Sequence, residues 1–277
     1  MDSLQRLRAH TFKALHERKS AFIVANPWDA GSAKLLAAMG FEALATSSAG
    51  LAFSLGRTDG DGGISRDETL ENIRQIIAAT ALPITADLEN GFAHSPEGCA
   101  ENLRQAIACG IVGASIEDAS GKAEAPIYEF EHAVERVKAA VAVARSLPFP
   151  FMLTARAENL LHGRTDFADT LRRLEAYAEA GADVLYAPGL QTRDQIAAVV
   201  KAVSPKPVNV LMGLDGVALS VRDLSELGVK RISVGSSLAR AAFGGLLRAA
   251  EEMRDHGTFT YAEQAMPFAR LNGLFKD

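Results

Sequence analysis

The sequence predicts an α/β fold, a single (β/α)8 TIM barrel with a helix before its first strand and extra helices after its last. Three observations carry this expectation. From residue 20 onward, eight short β-branched or apolar runs alternate with longer amphipathic stretches. The runs are nearly continuous in apolar character, as strands are when helices cover the sheet, and parallel strands need such helical crossovers. No glycine-rich linker or break in composition divides the 277 residues, and a barrel commonly occupies about 250 residues as one unit. The barrel core is expected over about 20–245 and the C-terminal helices over about 246–277, all in one domain.

Residues 1–20 read as a helix, with Leu4, Leu7, Phe12 and Leu15 available to cover an end of the barrel. The first four strand runs are AFIVANPW at 21–28, EALATSS at 42–48, LPITADLE at 82–89 and IVGASIED at 111–118. The last four are PFMLTARAE at 150–158, ADVLYAPG at 182–189, PVNVLM at 207–212 and RISVGS at 231–236. Between them, stretches such as SRDETLENIRQIIAAT and YEFEHAVERVKAAVAVARS are helical in period, and several others close on glycine at the C-cap. Helix starts are marked too: Ser65 precedes an acidic turn, Ser95-Pro96-Glu97 puts proline at the first helical position, and Thr192-Arg193-Asp194 opens another. After about 237 come RAAFGGLLRAAEEMRDHG and TYAEQAMPFARLNGLF. The second holds a proline and an apolar face, so it either bends back over its own protomer or packs on another subunit.

Composition excludes several function classes. The formal net charge is −5, from 29 Lys+Arg against 34 Asp+Glu, and no basic run appears, which argues against nucleic acid as a partner. No apolar run reaches 18 residues and MDSLQRLRAHTFKALHERKS lacks the apolar centre of a signal peptide, so a cytoplasmic protein with no membrane partner is expected. Cys99 and Cys109 share one helical stretch without metal-ligand spacing and read as packing residues.

The polar residues of the strand runs gather at their C-terminal ends, where a barrel carries its chemistry. Asp87 and Glu89 are two apart, which places both on one face of an extended segment, and Glu117-Asp118 ends the next run. Carboxylates converging from neighbouring strands repel unless protonated, paired or bridged by a cation. A hard divalent ion resolves this, and Mg²⁺ keeps several waters when held by one or two carboxylates. Asp118 can instead cap the following segment, which leaves Glu117 the firmer site residue. Arg156 can grip a carboxylate or phosphonate through paired hydrogen bonds, the bland alternative being an ion pair with Glu158. Asn209 interrupts an apolar strand, needs a buried partner and is expected to serve the pocket as a substrate-binding residue. Ser47, Ser48, Ala49 and Gly50 offer hydroxyls and backbone donors to an anion. Asp59 lies in the glycine-rich GRTDGDGG, otherwise a turn. Trp28 can wall a pocket while Asp29 caps the next helix. His10, His16, His94, His132, His162 and His256 are scattered and read as non-catalytic. No dinucleotide, P-loop or zinc spacing is present in the sequence.

In this order, NPWDAGSA at 26–33, TSSAG at 46–50, the aspartate of GRTDGDGG, TADLENGF at 85–92, IEDAS at 116–120, LTARAEN at 153–159 and PVNVL resemble the isocitrate lyase/phosphoenolpyruvate mutase superfamily across nearly the whole barrel. The resemblance implies a Mg²⁺ ion near the pocket, with Mn²⁺ able to substitute, and a homotetramer that exchanges C-terminal helices. It implies that Asp87 binds the metal and that Glu89 and Glu117 hold metal-bound waters. Ser47, Ser48 and Ala49 then match the substrate-carboxylate segment, Asp59 the aspartate near the reacting carbon, Arg156 the arginine that orients the transferring group, and Trp28 the aromatic wall. Isocitrate and methylisocitrate lyases carry a Lys-Lys-Cys-Gly-His or Lys-Arg-Cys-Gly-His loop after the fourth strand. Here EDASGKAEAPIYEF has neither cysteine nor histidine, which argues against those two activities; Lys122 partly replaces the gating-loop lysine.

The expected function is therefore a Mg²⁺-dependent lyase or decarboxylase. It would cleave a C–C bond of a small 2-oxo or 2-hydroxy acid through an enolate, the metal acting as electron sink. Carbon–phosphorus cleavage or phosphonopyruvate mutase-like chemistry is the second reading. A non-catalytic 2-oxo acid binding protein is the third.

Overall fold

Helix α1 (Ser3–Glu17) opens the chain in the computed structural model, which describes residues 3–60, 62–213 and 218–276. Its buried face follows the helical spacing through Gln5, Arg8, Ala9, Phe12, Leu15 and His16, while Leu4 and Leu7 face outward. That corrects the all-apolar face expected from the sequence. Polar anchors rotate the helix: Gln5 donates to the carbonyls of Ile107 and Ile111, and Arg8 to those of Thr80 and Ala81, at the loops that precede β3 and β4.

The alternating units follow in order: β1 (Phe22–Val24), α2 (Ala30–Ala38), β2 (Leu44–Ala45), α3 (Ser48–Ser54), α4 (Arg66–Ala79), β3 (Ile84–Asp87), α5 (Pro96–Ala108), β4 (Gly113–Glu117) and α6 (Phe130–Arg145). Then come β5 (Met152–Arg156), α7 (Phe167–Glu179), β6 (Val184–Tyr186), α8 (Arg193–Ala202), β7 (Val208–Leu211), α9 (Val221–Glu226), β8 (Arg231–Ser233), α10 (Ser237–His256) and α11 (Phe268–Phe275). Every strand lies inside its expected run. The caps form as read: Asp29 accepts from the Ser32 amide at 2.7 Å to start α2, Ser65 and Glu68 build a capping box at α4, and Ser95 caps α5 ahead of its proline.

All pairings are parallel in the order β1-β8-β7-β6-β5-β4-β3-β2, and a parallel bridge between Ala25 and Leu44 brings β1 back to β2, so the sheet is a nearly closed barrel. Apolar clusters fill the layer between strands and helices, with Leu103, Ile107 and Val143 on one side and Leu174, Tyr177 and Val199 on the other. The N-terminal end of the barrel is plugged from α1. The Phe12, His16 and Phe22 rings meet edge-on with centroids 4.7–6.2 Å apart. Gly113 makes room for this plug, since a Cβ there would stand 2.9 Å from Phe12 Cε1 and 2.8 Å from the Met152 carbonyl.

Past the barrel, α10 leaves Leu246 and Leu247 exposed, and Phe268 of α11 is 81% exposed. The end of α11 turns back onto α2 of the same chain, where Lys34 Nζ donates to the Phe275 carbonyl at 3.5 Å. Among the described residues no helix is long and apolar enough to cross a membrane.

Candidate active site

Three adjacent strands end on charged residues: β3 on Asp87, β4 on Glu117 and β5 on Arg156. The register sets Asp87 beside Ser115 and Glu117 beside Arg156. Period-two alternation along in-register strands then aims these side chains together into the C-terminal mouth.

Arg156 ties the group together. Its Nη1 donates to Asp87 Oδ1 at 3.0 Å, Nη2 lies 3.1 Å from Glu117 Oε2, and Nε donates to Glu158 Oε1 at 2.9 Å. The guanidinium also sits 5.1 Å from the Tyr186 ring centre. Burial disfavours its charge, but Glu117, Glu158 and Asp87 outweigh burial and hold its pKa well above the ordinary arginine value. The ion pair with Glu158, which the sequence offered as the alternative to a pocket role, exists alongside that role.

Asp87 is held from several directions. Its Oδ2 accepts from the Ser48 hydroxyl at 2.9 Å and the Ser48 amide at 3.3 Å, and its Oδ1 from the Ser115 hydroxyl at 3.3 Å. Ser47, expected to face an anion, spends its hydroxyl as the N-cap of α3, accepting from the Gly50 amide at 3.1 Å. The strand does not run on through Glu89. It ends at Asp87, the Gly91 amide closes a turn onto the Leu88 carbonyl, and Glu89 takes φ 48°, a left-handed conformation rare for a residue with a Cβ. The Glu117 amide fixes this geometry by donating to the Glu89 carbonyl at 3.0 Å.

Burial, then Asp87 and Asp59, push the Glu89 carboxyl up to about 7. Asp59 is raised by burial and by Asp87, and burial raises Glu117 well above the usual carboxylate range despite Arg156. Asp59 and Glu89 have no ion pair among the described residues, so the mouth gathers more carboxyl groups than Arg156 pairs.

Two cavities meet here. An outer one of about 910 Å³ is lined by Asp59, Glu89, Glu117 and Lys122, with His94 and His162 at its wall. An inner one of about 230 Å³ enters the barrel past Ser48, Ala49, Asp87 and Arg156 toward Asn209 and Arg231. Lys122 thus stands in the outer wall, in the loop after β4. Asn209 has the buried partners its position required, donating to the Ser233 hydroxyl at 2.9 Å and accepting from Arg231 Nε at 2.8 Å. Trp28 lines neither cavity; it packs against the start of α3, and its carbonyl accepts from Asn72.

Asp118 is not a local cap. It is 3% exposed and accepts from the Glu158 amide, from Arg173 Nη1 at 3.1 Å and from the Tyr177 hydroxyl at 2.7 Å, locking α7 to the barrel wall. Sequence reading passed over Tyr186, Ser233 and Arg231 as site residues. The charged residue opening RISVGS was a signal that could have found Arg231.

The donor set at the mouth is all oxygen and mostly carboxylate, which fits a hard divalent ion. Among the described residues no three such groups converge on one point, because Arg156 draws Asp87 and Glu117 to itself. Mg²⁺ needs no such cage, since one or two carboxylates and several waters suffice.

Comparison with known proteins gives a consistent neighbourhood. A sequence profile described as phosphoenolpyruvate phosphomutase matches residues 12–254. The crystal structure of a candidate lyase/mutase from Burkholderia cenocepacia J2315 is 57% identical, with a TM-score of 0.97 over 100% of this chain and 98% of the other. The 2-methylisocitrate lyase of Escherichia coli K12 is 32% identical over 183 residues, 63% of this chain and 60% of its own. An oxaloacetate decarboxylase of Bradyrhizobium diazoefficiens is 30% identical over 148 residues, 50% of this chain and 48% of its own.

Proposed function

Since the chain belongs to the phosphoenolpyruvate phosphomutase family, within a superfamily of lyases and mutases, we propose that it is a Mg²⁺-dependent lyase or decarboxylase that cleaves a C–C bond of a small 2-oxo or 2-hydroxy carboxylic acid. The observation that carries this reading is the excess of carboxyl groups around Asp87, set against the fork of Arg156 at the mouth of the inner cavity. Its relatives named 2-methylisocitrate lyase and oxaloacetate decarboxylase support carbon–carbon cleavage. The loop after β4, which lacks cysteine and histidine between 117 and 130, speaks against the first of those two activities.

Asp87, Glu89 and Glu117 are the residues that would hold the ion, which when bound supplies Lewis-acid stabilisation of the negative charge that develops as the bond breaks. Arg156 supplies oriented N–H donors to the oxygen-rich end of the substrate, in a site whose geometry is set before substrate arrives. Ser48 and Ala49 line the route inward, and Asp59 faces the same space from the loop after α3. Buried strand residues such as Thr85, Ala86 and Asn209 wall the inner cavity, which lowers the local dielectric and strengthens each of these contacts.

Carbon–phosphorus cleavage is kept as the second reading because the matching family profile is that of a phosphomutase. A spectroscopic screen of 2-oxo acids, dicarboxylic hydroxy acids and phosphonates with and without Mg²⁺ decides between them. Metal-dependent release of a 2-oxo acid product from a non-phosphonate acid is the expected result. Turnover confined to phosphonates selects the second reading, and binding without turnover across the panel leaves a 2-oxo acid binding protein. The exposed Leu246, Leu247 and Phe268 support a homotetramer in which residues from about 246 form an assembly arm on a single barrel domain. The two free cysteines suit the reducing cytoplasm.

A further inference from the structure

The turn after β3 is held in an uncommon shape. Glu89, Gly91 and Phe92 have φ of 48°, 72° and 53°, so two residues that carry a Cβ stand in the left-handed region within one short turn. Such conformations persist only where the surroundings over-determine them. The turn lies outside any ladder or helix, and its carbonyls find partners one by one. That of Glu89 accepts from the Glu117 amide at 3.0 Å, and that of Gly91 from Asn102 Nδ2 at 2.8 Å. Three more, at Asn90, Ala93 and His94, accept from a single side chain, Arg136 of α6.

Arg136 is 1% exposed and lines neither cavity, so it does not itself meet a ligand. Its Nη1 donates to the Ala93 carbonyl at 2.5 Å and to the His94 carbonyl at 2.6 Å, and its Nη2 donates to the Asn90 carbonyl. The guanidinium stacks 4.4 Å from the centre of the Tyr128 ring. The hydroxyl of that ring lies 3.3 Å from Asn90 Nδ2 and 2.5 Å from His94 Nδ1, so the platform under the arginine is itself tied to the turn. Among the described residues the partners of Arg136 are carbonyls and a ring, not acids. A buried charge needs strong acceptors, and charge-assisted bonds to three carbonyls supply them. A planar fork can bond several carbonyls at fixed angles at once, which a lysine ammonium does not.

We propose that Arg136 is a positioning residue for the acidic mouth: by gripping the carbonyls of Asn90, Ala93 and His94 it holds the turn that presents Glu89 to the outer cavity. That Glu89 serves a metal ion there rests on the lyase reading above; the grip on the turn does not.

The competing role is a purely structural one, in which Arg136 only fastens α6 to the barrel. Arg8 of α1 provides the comparison. It too is a buried arginine that donates to backbone carbonyls, those of Thr80 and Ala81, in the segment that leads into β3 from the opposite end. Both arginines brace β3, and only Arg136 does so at the end that carries the acids.

Titration of the full chain with Mn²⁺ alone, followed by the electron paramagnetic resonance of the free ion, separates the two roles. Arg8→Met is expected to bind Mn²⁺ within about twofold of the wild type, and Arg136→Met to bind it about tenfold more weakly or worse. Kd values within about twofold of each other in the two variants overturn the proposal. Should Arg136→Met fail to fold, Arg136→Lys, which keeps the charge but loses the fork, is expected to show the same direction.

Amide hydrogen exchange in chelator supplies a measurement free of metal. The Gly91, Phe92 and Glu117 amides bond the Leu88 carbonyl, Asn90 Oδ1 and the Glu89 carbonyl, and so report on the turn. In Arg136→Met their exchange is expected to quicken about tenfold or more relative to the Leu185 amide of β6, and in Arg8→Met to keep pace with it. Unchanged relative exchange in Arg136→Met overturns the proposal. A loosened turn in a chain whose wild type binds no Mn²⁺ removes only the metal-dependent lyase reading, and tight Mn²⁺ binding indifferent to Arg136 removes only this one.

Discussion

Arg156, partly buried, and Arg231, fully buried, lie in the same barrel a few strands apart, and they are stabilised in opposite ways. Arg156 ends β5 among Asp87, Glu117 and Glu158, which hold its charge tightly. Arg231 begins β8 among amide and hydroxyl groups, and its charge is weakened by burial. The difference teaches where each charge is completed. At the mouth the protein supplies more carboxyl groups than one arginine pairs, which leaves acids for a cation. Inside the barrel it supplies none, and the arginine is held by neutral acceptors alone.

The most severe test of the mouth is Asp87→Ala. Metal-dependent kcat/KM is expected to fall on the order of 10²-fold or more, and unchanged metal affinity and turnover would remove Asp87 from the site. Stability should follow the contrast between the arginines. Arg156→Met strands buried carboxylates and should cost about 3–5 kcal/mol in chemical denaturation without metal. Arg231→Met strands only neutral acceptors and should cost about 1–3 kcal/mol. Equal costs at the two positions would dissolve the distinction.

The α1 plug at the N-terminal end of the barrel can be broken by volume. Gly113→Ala sets a methyl against Phe12 and the Met152 carbonyl and should destabilise the fold by about 1–3 kcal/mol. It can also be loosened by acid. Burial, together with the Arg231 charge, lowers the His16 pKa to about 3 from an ordinary 6.5. The unfolded chain therefore binds the proton first, so stability is fully present above pH 6.5 and falls as pH drops toward 3, by about 1.4 kcal/mol per unit from this group. In His16→Leu that part of the slope disappears from denaturation curves taken across the window. The smallest effect belongs to the surface: Arg74→Ala removes an exposed pair with Glu71 and should leave the melting temperature unchanged within scatter.

Much of the mouth was legible in the sequence, because strand ends in a parallel barrel share one rim. TADLE, IED and TARAE announce Asp87, Glu117 and Arg156 by position alone. Glu89 was legible as a site acid but not as a turn residue, since alternation presumes a strand that in fact stops at Asp87. Asp118 was misread as a local cap because its partners, Arg173 and Tyr177, lie more than fifty residues away. Leu4 and Leu7 were misassigned to the barrel face because hydrogen bonds from Gln5 and Arg8, not apolar area, set the rotation of α1.

By itself the sequence determined the order of strands and helices, their caps and the rim on which the acids collect. Each of these follows from local period and from the one way consecutive parallel units close. Only the tertiary structure decided how the charges are shared. A guanidinium bonds whatever lies within about 3 Å of it. Whether that is three carboxylates, as at Arg156, or an amide and a hydroxyl, as at Arg231, depends on strand register and tilt across the barrel.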